Sequence, residues 1–416
     1  MGGDRDASGR RARGRTKADL NILMNWKTKI NHSDILPIDW PRGCLVGRVW
    51  RPDVQGPSVV VVREEAVLDI SQTFPTMRDL CEAQRPAASV AAISGEPVGS
   101  LRELLDNSPR DQRDPRKAWL LAPIDLQAIK AAGVTFVISL LERVIEEQAR
   151  GNPQESSSIR NEILSSVGQT LENLKPGSEQ AVALKGLLIK KGLWSQYLEV
   201  GIGPDAELFT KSQPMSAVGH GHEAGFHTMS SWNNPEPEVV VVVSSAGEIK
   251  GASLGNDVNL RDVEGRSALL LGKAKDNNAS CAVGPFIRLF DETFSIDDVR
   301  KMEVHMTIEG EDEFHLHAVS SLSQISRDPT DLVAQMIGPN HQYPDGAVLF
   351  LGTMFAPVQD RDVPGMGFSH KIGDVVTIKS DKLGALSNRM RHAHDCEPWT
   401  FGATQLMRNL ARRRLI

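Results

Sequence analysis

The chain has 416 residues, of which 40% are hydrophobic and 24% charged, and a formal charge of -6. With no apolar run of membrane-spanning length, this composition excludes a membrane-embedded chain, and its net negative charge argues against a nucleic-acid partner. Cys44, Cys81, Cys281 and Cys396 form no Cys-x-x-Cys pair, which speaks against a zinc knuckle or a disulfide framework and for a reducing, cytoplasmic location.

Residues 1–17 hold five arginines and Lys17 against Asp4 and Asp6. Such a Gly/Arg/Ser composition cannot bury a core, so residues 1–35 are expected to form a flexible tail. No aromatic side chain interleaves these arginines, and no hydrophobic stretch follows them before Leu20, so neither nucleic-acid binding nor a signal peptide is favoured. Short β-branched runs at 44–49, 58–62 and 66–70, with Pro and Gly between them, predict a small β-rich N-terminal domain over 36–115. Its last part, 89–115, is rich in Pro, Asp and Arg and reads as a linker or exposed loop.

Residues 125–149 predict an amphipathic helix with Ile138, Leu141, Val144 and Ile145 on one face, stopped by Gly151-Asn152-Pro153. Helical spacing at 159–174 and 179–190 makes 152–195 a helical insertion, expected to cover the site, ahead of a strand-dominated core. His220, His222 and His227 sit in a glycine-rich loop with no element to fix metal ligands. With Ser212, Gln213 and Ser216, that loop reads as pocket lining rather than a zinc site.

The most informative stretch is Asn233-Asn234-Pro235-Glu236-Pro237-Glu238, followed by five valines. Residues two apart on an extended segment share a face, so Glu236 and Glu238 project together. The segment through Ser244-Ser245-Ala246-Gly247-Glu248 to Asp257 reads as a hairpin. With Ala246 and Gly247 as turn residues, Asp257 falls opposite Glu236 and Gly255 opposite Glu238. Three converging carboxylates repel one another unless a cation neutralises them, and an all-oxygen set selects Mg²⁺ or Mn²⁺ over zinc, with Ca²⁺ also open. The bland alternative is a solvated acidic turn.

Glu-x-Glu, then Asn256-Asp257-Val-Asn-Leu-Arg261-Asp262, Gly272-Lys-Ala-Lys275 and Cys281-Ala-Val-Gly284-Pro285, resembles the ordered motif set of the fumarylacetoacetate hydrolase superfamily. Asp345-Gly346 through Gly352-Thr353, and Lys371-Ile-Gly373-Asp374, look like its later elements. The resemblance implies an α+β fold: a β-rich mixed roll over 116–395, with the small N-terminal domain, the helical insertion and a C-terminal tail at 396–416. It implies Glu236, Glu238 and Asp257 as metal ligands for Mg²⁺ or Mn²⁺, Lys275 facing the substrate, Thr353 near the substrate carboxylate, and a homodimer or homotetramer.

Hydrolases of this family usually show Gly-x-Asn-Tyr-x-x-His-x-x-Glu, whose His–Glu pair activates water. Here the aligned stretch runs from Gly133 to Glu142, with Ser139 at the histidine position. A serine hydroxyl is too weakly basic to replace imidazole. The chain more closely resembles the 2-keto-3-deoxypentonate dehydratases, which form 2,5-dioxopentanoate from a small-molecule 2-keto acid. That branch carries a glutamate before the first strand of the site, matched by Glu207 in Asp205-Ala-Glu207-Leu-Phe-Thr-Lys211. Lys275, with a pKa lowered by desolvation, is expected to take the C3 proton, and Glu207 or Glu142 to protonate the leaving hydroxyl. Ser139, Lys211, Arg261 and Thr353 are the expected substrate contacts. An acylpyruvate-type C–C hydrolase, or a silent keto-acid-binding member, is the alternative.

Two further histidine sets stay outside the site. His315 and His317 alternate on one strand face, and His392 and His394 precede a basic terminus, where a tail or subunit contact is expected. Gly265 to Ala274 is too long for a phosphate-binding loop and lacks its hydroxyl.

Overall fold

The computed structural model describes residues 32–416 except 157, 162–173, 191 and 193. The basic tail at 1–31 and most of the helix expected at 159–174 therefore lie outside the described residues. The strands in the first half of the chain are β1 (Leu45–Arg51), β2 (Gly56–Arg63), β3 (Ala66–Asp69), β4 (Glu96–Ser100), β5 (Trp119–Leu120), β6 (Ala128–Gly133), β7 (Glu207–Ser212), β8 (Glu223–Phe226) and β9 (Asn233–Asn234). The second half supplies β10 (Pro237–Val243), β11 (Ile249–Asp257), β12 (Asn259–Leu260), β13 (Cys281–Leu289), β14 (Glu303–Glu309), β15 (His315–Ser321), β16 (Ala347–Phe350), β17 (Val375–Ser380) and β18 (Gly384–His392).

An 11-stranded sheet runs β4-β3-β2-β1-β13-β11-β10-β16-β6-β7, with β5 beside β1. A five-stranded sheet runs β15-β14-β17-β18-β8. Pairing is antiparallel except for β16 with β6 and β18 with β8. The architecture is α+β. The strands of residues 45–100 make no separate sheet; through β1 and β13 they extend the sheet that carries Glu238 and Asp257.

The valines at 239–243 explain how the two sheets are layered. β10 lies between β11 and β16, and all five side chains are fully buried. Val239, Val241 and Val243 face a core shared with Val304, Met306, Ile378 and Leu386 of the second sheet. Val240 and Val242 face a core shared with Val46, Val59, Val61 and Leu80. Each buried valine contributes about 1.5 to 3 kcal/mol, so this strand fixes the central register on both faces.

Three expectations need correction. Residues 128–133 are a strand rather than the start of a helix; Ala-Ile-Lys-Ala-Ala has helical propensity, but β16 and β7 offer hydrogen-bonding edges on both sides. The helix occupies only Val137–Gln148, and Ile138, placed on its buried face, is 52% exposed. The 89–115 stretch is not a linker, because it holds β4 and a helix, Leu101–Asn107, whose Leu101, Leu104 and Leu105 are buried. Nor is 396–416 a tail. Ala403–Arg412 is a helix that buries Leu406, Asn409 and Leu410, and Asn409 donates to the Val54 and Gln55 carbonyls, each at 3.0 Å.

Of the 152–195 region, the Glu179–Lys190 helix packs through Ala181, Leu184 and Leu188 against Leu140, Leu141 and Val144, and against Leu198 and Ile202 of the helix Gln196–Ile202. Among the described residues no helix is long and apolar enough to cross a membrane.

Candidate active site

The β10–β11 hairpin assembles the acidic cluster. Pro237 faces Asn256 and Glu238 faces Gly255, while a bulge between Val242 and Val243 absorbs the turn. Just beyond the ladder the Asp257 N–H donates to the Glu236 carbonyl at 3.0 Å, so Asp257 and Glu236 are opposed. One carboxylate oxygen from each of Glu236, Glu238 and Asp257 lies within 4.8 Å of the other two. All three residues are buried.

Each of these residues is held by a neighbour. Asn256 Oδ1 accepts the Glu236 N–H at 3.1 Å. The Gly352 N–H donates to Glu238 Oε2 at 2.6 Å. Gly352 has φ +97, and a Cβ there would stand 2.0 Å from Thr135 Oγ1, so only glycine brings this amide to the carboxylate. Thr353 follows directly. Its Oγ1 accepts the Phe355 N–H at 3.3 Å and lies 3.4 Å from the Pro237 carbonyl oxygen, which puts it at the edge of the cluster.

Lys275 ends the short helix Leu271–Lys275 and reaches both Glu236 Oε2 and, at 3.1 Å, Asp257 Oδ2. The expected lowering of its pKa does not occur in this arrangement. Burial pulls the ammonium down, but Asp257, Glu236 and Glu264 more than offset it and hold Lys275 charged. Lys211, expected to touch substrate, is fully buried instead. Its ammonium lies 2.8 Å from Asp257 Oδ1 and donates to the carbonyls of Val258 and Lys275, so it fixes Asp257 rather than facing a pocket. Burial raises the Asp257 carboxyl, and the two lysines more than reverse this. Among the described residues no cation contacts Glu238; burial, then Asp257 and Glu236, push its carboxyl well above the usual range.

Glu207 opens β7 opposite Gly133. A Cβ on Gly133 would sit 1.9 Å from Glu207 Oε2, so the missing side chain makes room for the carboxyl. Burial and Glu264 raise it to about 7, against the opposing pull of Arg143 and Lys275.

The helix Val137–Gln148 departs most from expectation. The Ser139 hydroxyl donates to the Phe136 carbonyl at 2.9 Å. Glu142, expected in the catalytic group, forms a two-point pair with Arg160 at 2.9 and 2.7 Å, so its carboxylate is held by the 152–195 region and not by the acidic cluster. The helix instead presents Arg143 and Glu146, neither of which the sequence reading singled out. Arg143 contacts Glu236 and Glu146 and lies 3.4 Å from Glu264 Oε2. Arg261 is buried against Glu146 at 3.2 Å and Asn234 at 2.9 Å, so it ties elements together and is closed to substrate. The available signal was an Arg-x-x-Glu pair one helical turn apart with Val144 and Ile145 between its members.

The rival histidines are engaged elsewhere. His220 Nδ1 accepts the Ser387 N–H at 3.2 Å, and His222 Nε2 lies 2.9 Å from the Leu120 carbonyl. His227 accepts the Met229 N–H at 3.0 Å. His317 stacks on His305, and His392 on His394.

A divalent cation fits this donor set. Five buried carboxylates (Glu146, Glu236, Glu238, Asp257, Glu264) and the half-buried Glu207 come together with four buried cations (Arg143, Lys211, Arg261, Lys275). The excess is negative and falls on Glu238. Oxygen donors at this spacing suit a hard ion such as Mg²⁺.

Residues 203–391 match the family model "Fumarylacetoacetate (FAA) hydrolase C-terminal". The chain is 30% identical over 266 residues to a Haloferax volcanii protein named "Probable 2-keto-3-deoxyxylonate dehydratase", covering 64% of this chain and 73% of that one. It is 31% identical over 180 residues to the "2-dehydro-3-deoxy-D-arabinonate dehydratase" of Saccharolobus solfataricus, covering 43% of this chain and 57% of that one. Among solved structures, a 2-keto-3-deoxy-D-arabinonate dehydratase complexed with magnesium and 2,5-dioxopentanoate superposes with a TM-score of 0.59 at 20% identity, covering 84% of this chain and 99% of that one.

Proposed function

The chain belongs to the fumarylacetoacetate hydrolase superfamily, in its pentonate dehydratase branch, and from that premise we propose that it is a divalent-metal-dependent hydro-lyase converting a 2-keto-3-deoxypentonate to 2,5-dioxopentanoate. The observation that carries this reading is the buried Glu236–Glu238–Asp257 cluster with Lys275 against it. Two relatives named as dehydratases, and a structural neighbour described with magnesium and 2,5-dioxopentanoate, support it.

Glu236, Glu238 and Asp257 would hold Mg²⁺ or Mn²⁺. Such an ion would supply Lewis acidity that acidifies the C3 hydrogens of a 2-keto acid. Lys275, charged in this setting, binds the developing negative charge on the C2 oxygen. Thr353 offers its hydroxyl to the substrate carboxylate. Glu207, with a carboxyl near 7, takes a proton from C3 and delivers it to the departing C4 hydroxyl, so one water leaves and a C3–C4 double bond forms. A proton shift from C5 to C3 then gives the C4–C5 enol, and protonation at C4 with loss of the enol proton yields the aldehyde.

Water activation for C–C hydrolysis has no imidazole to rely on, because Ser139 stands at the relevant position and donates to its own helix. Incubating the protein with Mg²⁺ and a panel of 2-keto-3-deoxy acids, with the aldehyde product coupled to an NAD(P)⁺-dependent dehydrogenase, tests the activity and its substrate range.

A further inference from the structure

Glu236, like Asp257 with its Lys211 and Lys275, has both oxygens engaged by cations on different elements, but one of its cations is a guanidinium. Oε2 meets Lys275, while Oε1 meets Arg143 of the helix Val137–Gln148. The same guanidinium is flanked by Glu146, one turn along the helix, and by Glu264, 3.4 Å away on the segment that follows Asp257. Arg261, from that segment, closes the ring by lying 3.2 Å from Glu146 and 2.9 Å from Asn234, two residues before Glu236. Every member of the ring is buried. A guanidinium presents several donors in a fixed fork, so it can set the directions of more than one carboxylate at once.

We propose that Arg143 is the positioning residue of the metal centre: it fixes the Glu236 carboxylate in its ligating orientation and thereby links the helix Val137–Gln148 to metal affinity. This rests on the metal-site reading above. A cation beside a ligand also opposes a metal ion electrostatically. Here Glu146 and Glu264 already neutralise Arg143, so orientation outweighs repulsion. Groups that orient metal ligands in this way are worth about 10- to 100-fold in affinity.

The test is Mn²⁺ binding measured by electron paramagnetic resonance without substrate, supported by Mg²⁺ calorimetry, on the wild type, Arg143→Gln and Arg143→Lys. Arg143→Gln should weaken binding by about 10- to 100-fold, and saturating metal should restore most of kcat. Because that variant leaves buried carboxylates unpaired and can fail to fold, Arg143→Lys is measured beside it. An ammonium lacks the planar fork that sets the directions of Glu236 and Glu146 at once, so a folded Arg143→Lys protein should bind several-fold more weakly. Unchanged or tighter binding by whichever variants retain the native circular dichroism would overturn the proposal. Failure of the wild type to bind either ion would instead remove the metal-site reading on which it rests.

Discussion

The Lys211 ammonium lies 2.8 Å from Asp257 Oδ1, and neither side chain reaches solvent. Removing one partner of such a buried pair leaves the other charge uncompensated, which costs about 3 to 5 kcal/mol. Lys211→Met should therefore lower the unfolding free energy by that amount, read as a lower urea midpoint with an unchanged slope. A loss below about 1 kcal/mol would mean that Lys275 alone suffices to hold Asp257.

Glu238 gives a prediction of opposite sign. Its folded-state carboxyl is raised above the ordinary 4.5 by burial and by Asp257 and Glu236, so without metal the folded chain binds a proton that the unfolded chain releases. This group's contribution to metal-free stability is fully present below about pH 4.5 and is lost as pH rises through the raised value. Glu238→Gln, a neutral isostere, should raise the thermal midpoint in EDTA near neutrality and abolish the stabilisation that Mg²⁺ gives the wild type. A lower midpoint in EDTA would show that the ionised carboxylate stabilises the metal-free fold despite burial, Asp257 and Glu236.

Glu207 should set a rising limb in the pH profile of kcat/KM. Its carboxyl is raised to about 7, and the proton-shuttle role needs the ionised form at the start, so activity should climb through that value. Glu207→Gln should lower kcat by about 10²- to 10⁴-fold and remove the limb. Gly133→Ala, which places a methyl against Glu207 Oε2, should lower kcat with little change in Mn²⁺ affinity. A Glu207→Gln protein that keeps both the limb and the rate would move proton transfer to another residue.

The contrast between Glu236 and Arg143 shows what the sequence could reveal. Strand alternation puts Glu236 and Glu238 on one face, and although the turn itself pairs Ser244 with Glu248 rather than centring on Ala246-Gly247, the bulge at Val242/Val243 restores the register in which Asp257 meets Glu236. Arg143, Glu146 and Glu264 carry no such signal. Charged residues on helices are ordinarily solvated, and their burial here follows from packing between elements far apart in sequence. Glu142 illustrates the converse. Its place in the family motif pointed to catalysis, whereas the side chain turns to Arg160. The 128–133 strand and the Ala403–Arg412 helix were obscured because their partners, β16 and the β1–β2 turn, lie hundreds of residues away.

Reaction type follows from Ser139. With Mg²⁺ present, acylpyruvates should remain uncleaved, as judged by the absence of pyruvate. Release of pyruvate at an efficiency comparable to that on keto-deoxy acids would require a water-activating base other than imidazole at this position.

The most direct measurement follows a 2-keto-3-deoxypentonate by NMR in the presence of Mg²⁺, of EDTA, and of Mg²⁺ with Asp257→Asn. The account predicts conversion to 2,5-dioxopentanoate, with loss of one water, only for the wild type with Mg²⁺. Full conversion after exhaustive chelation, equal conversion by Asp257→Asn, or the absence of any aldehyde product from the metal-loaded wild type would contradict it.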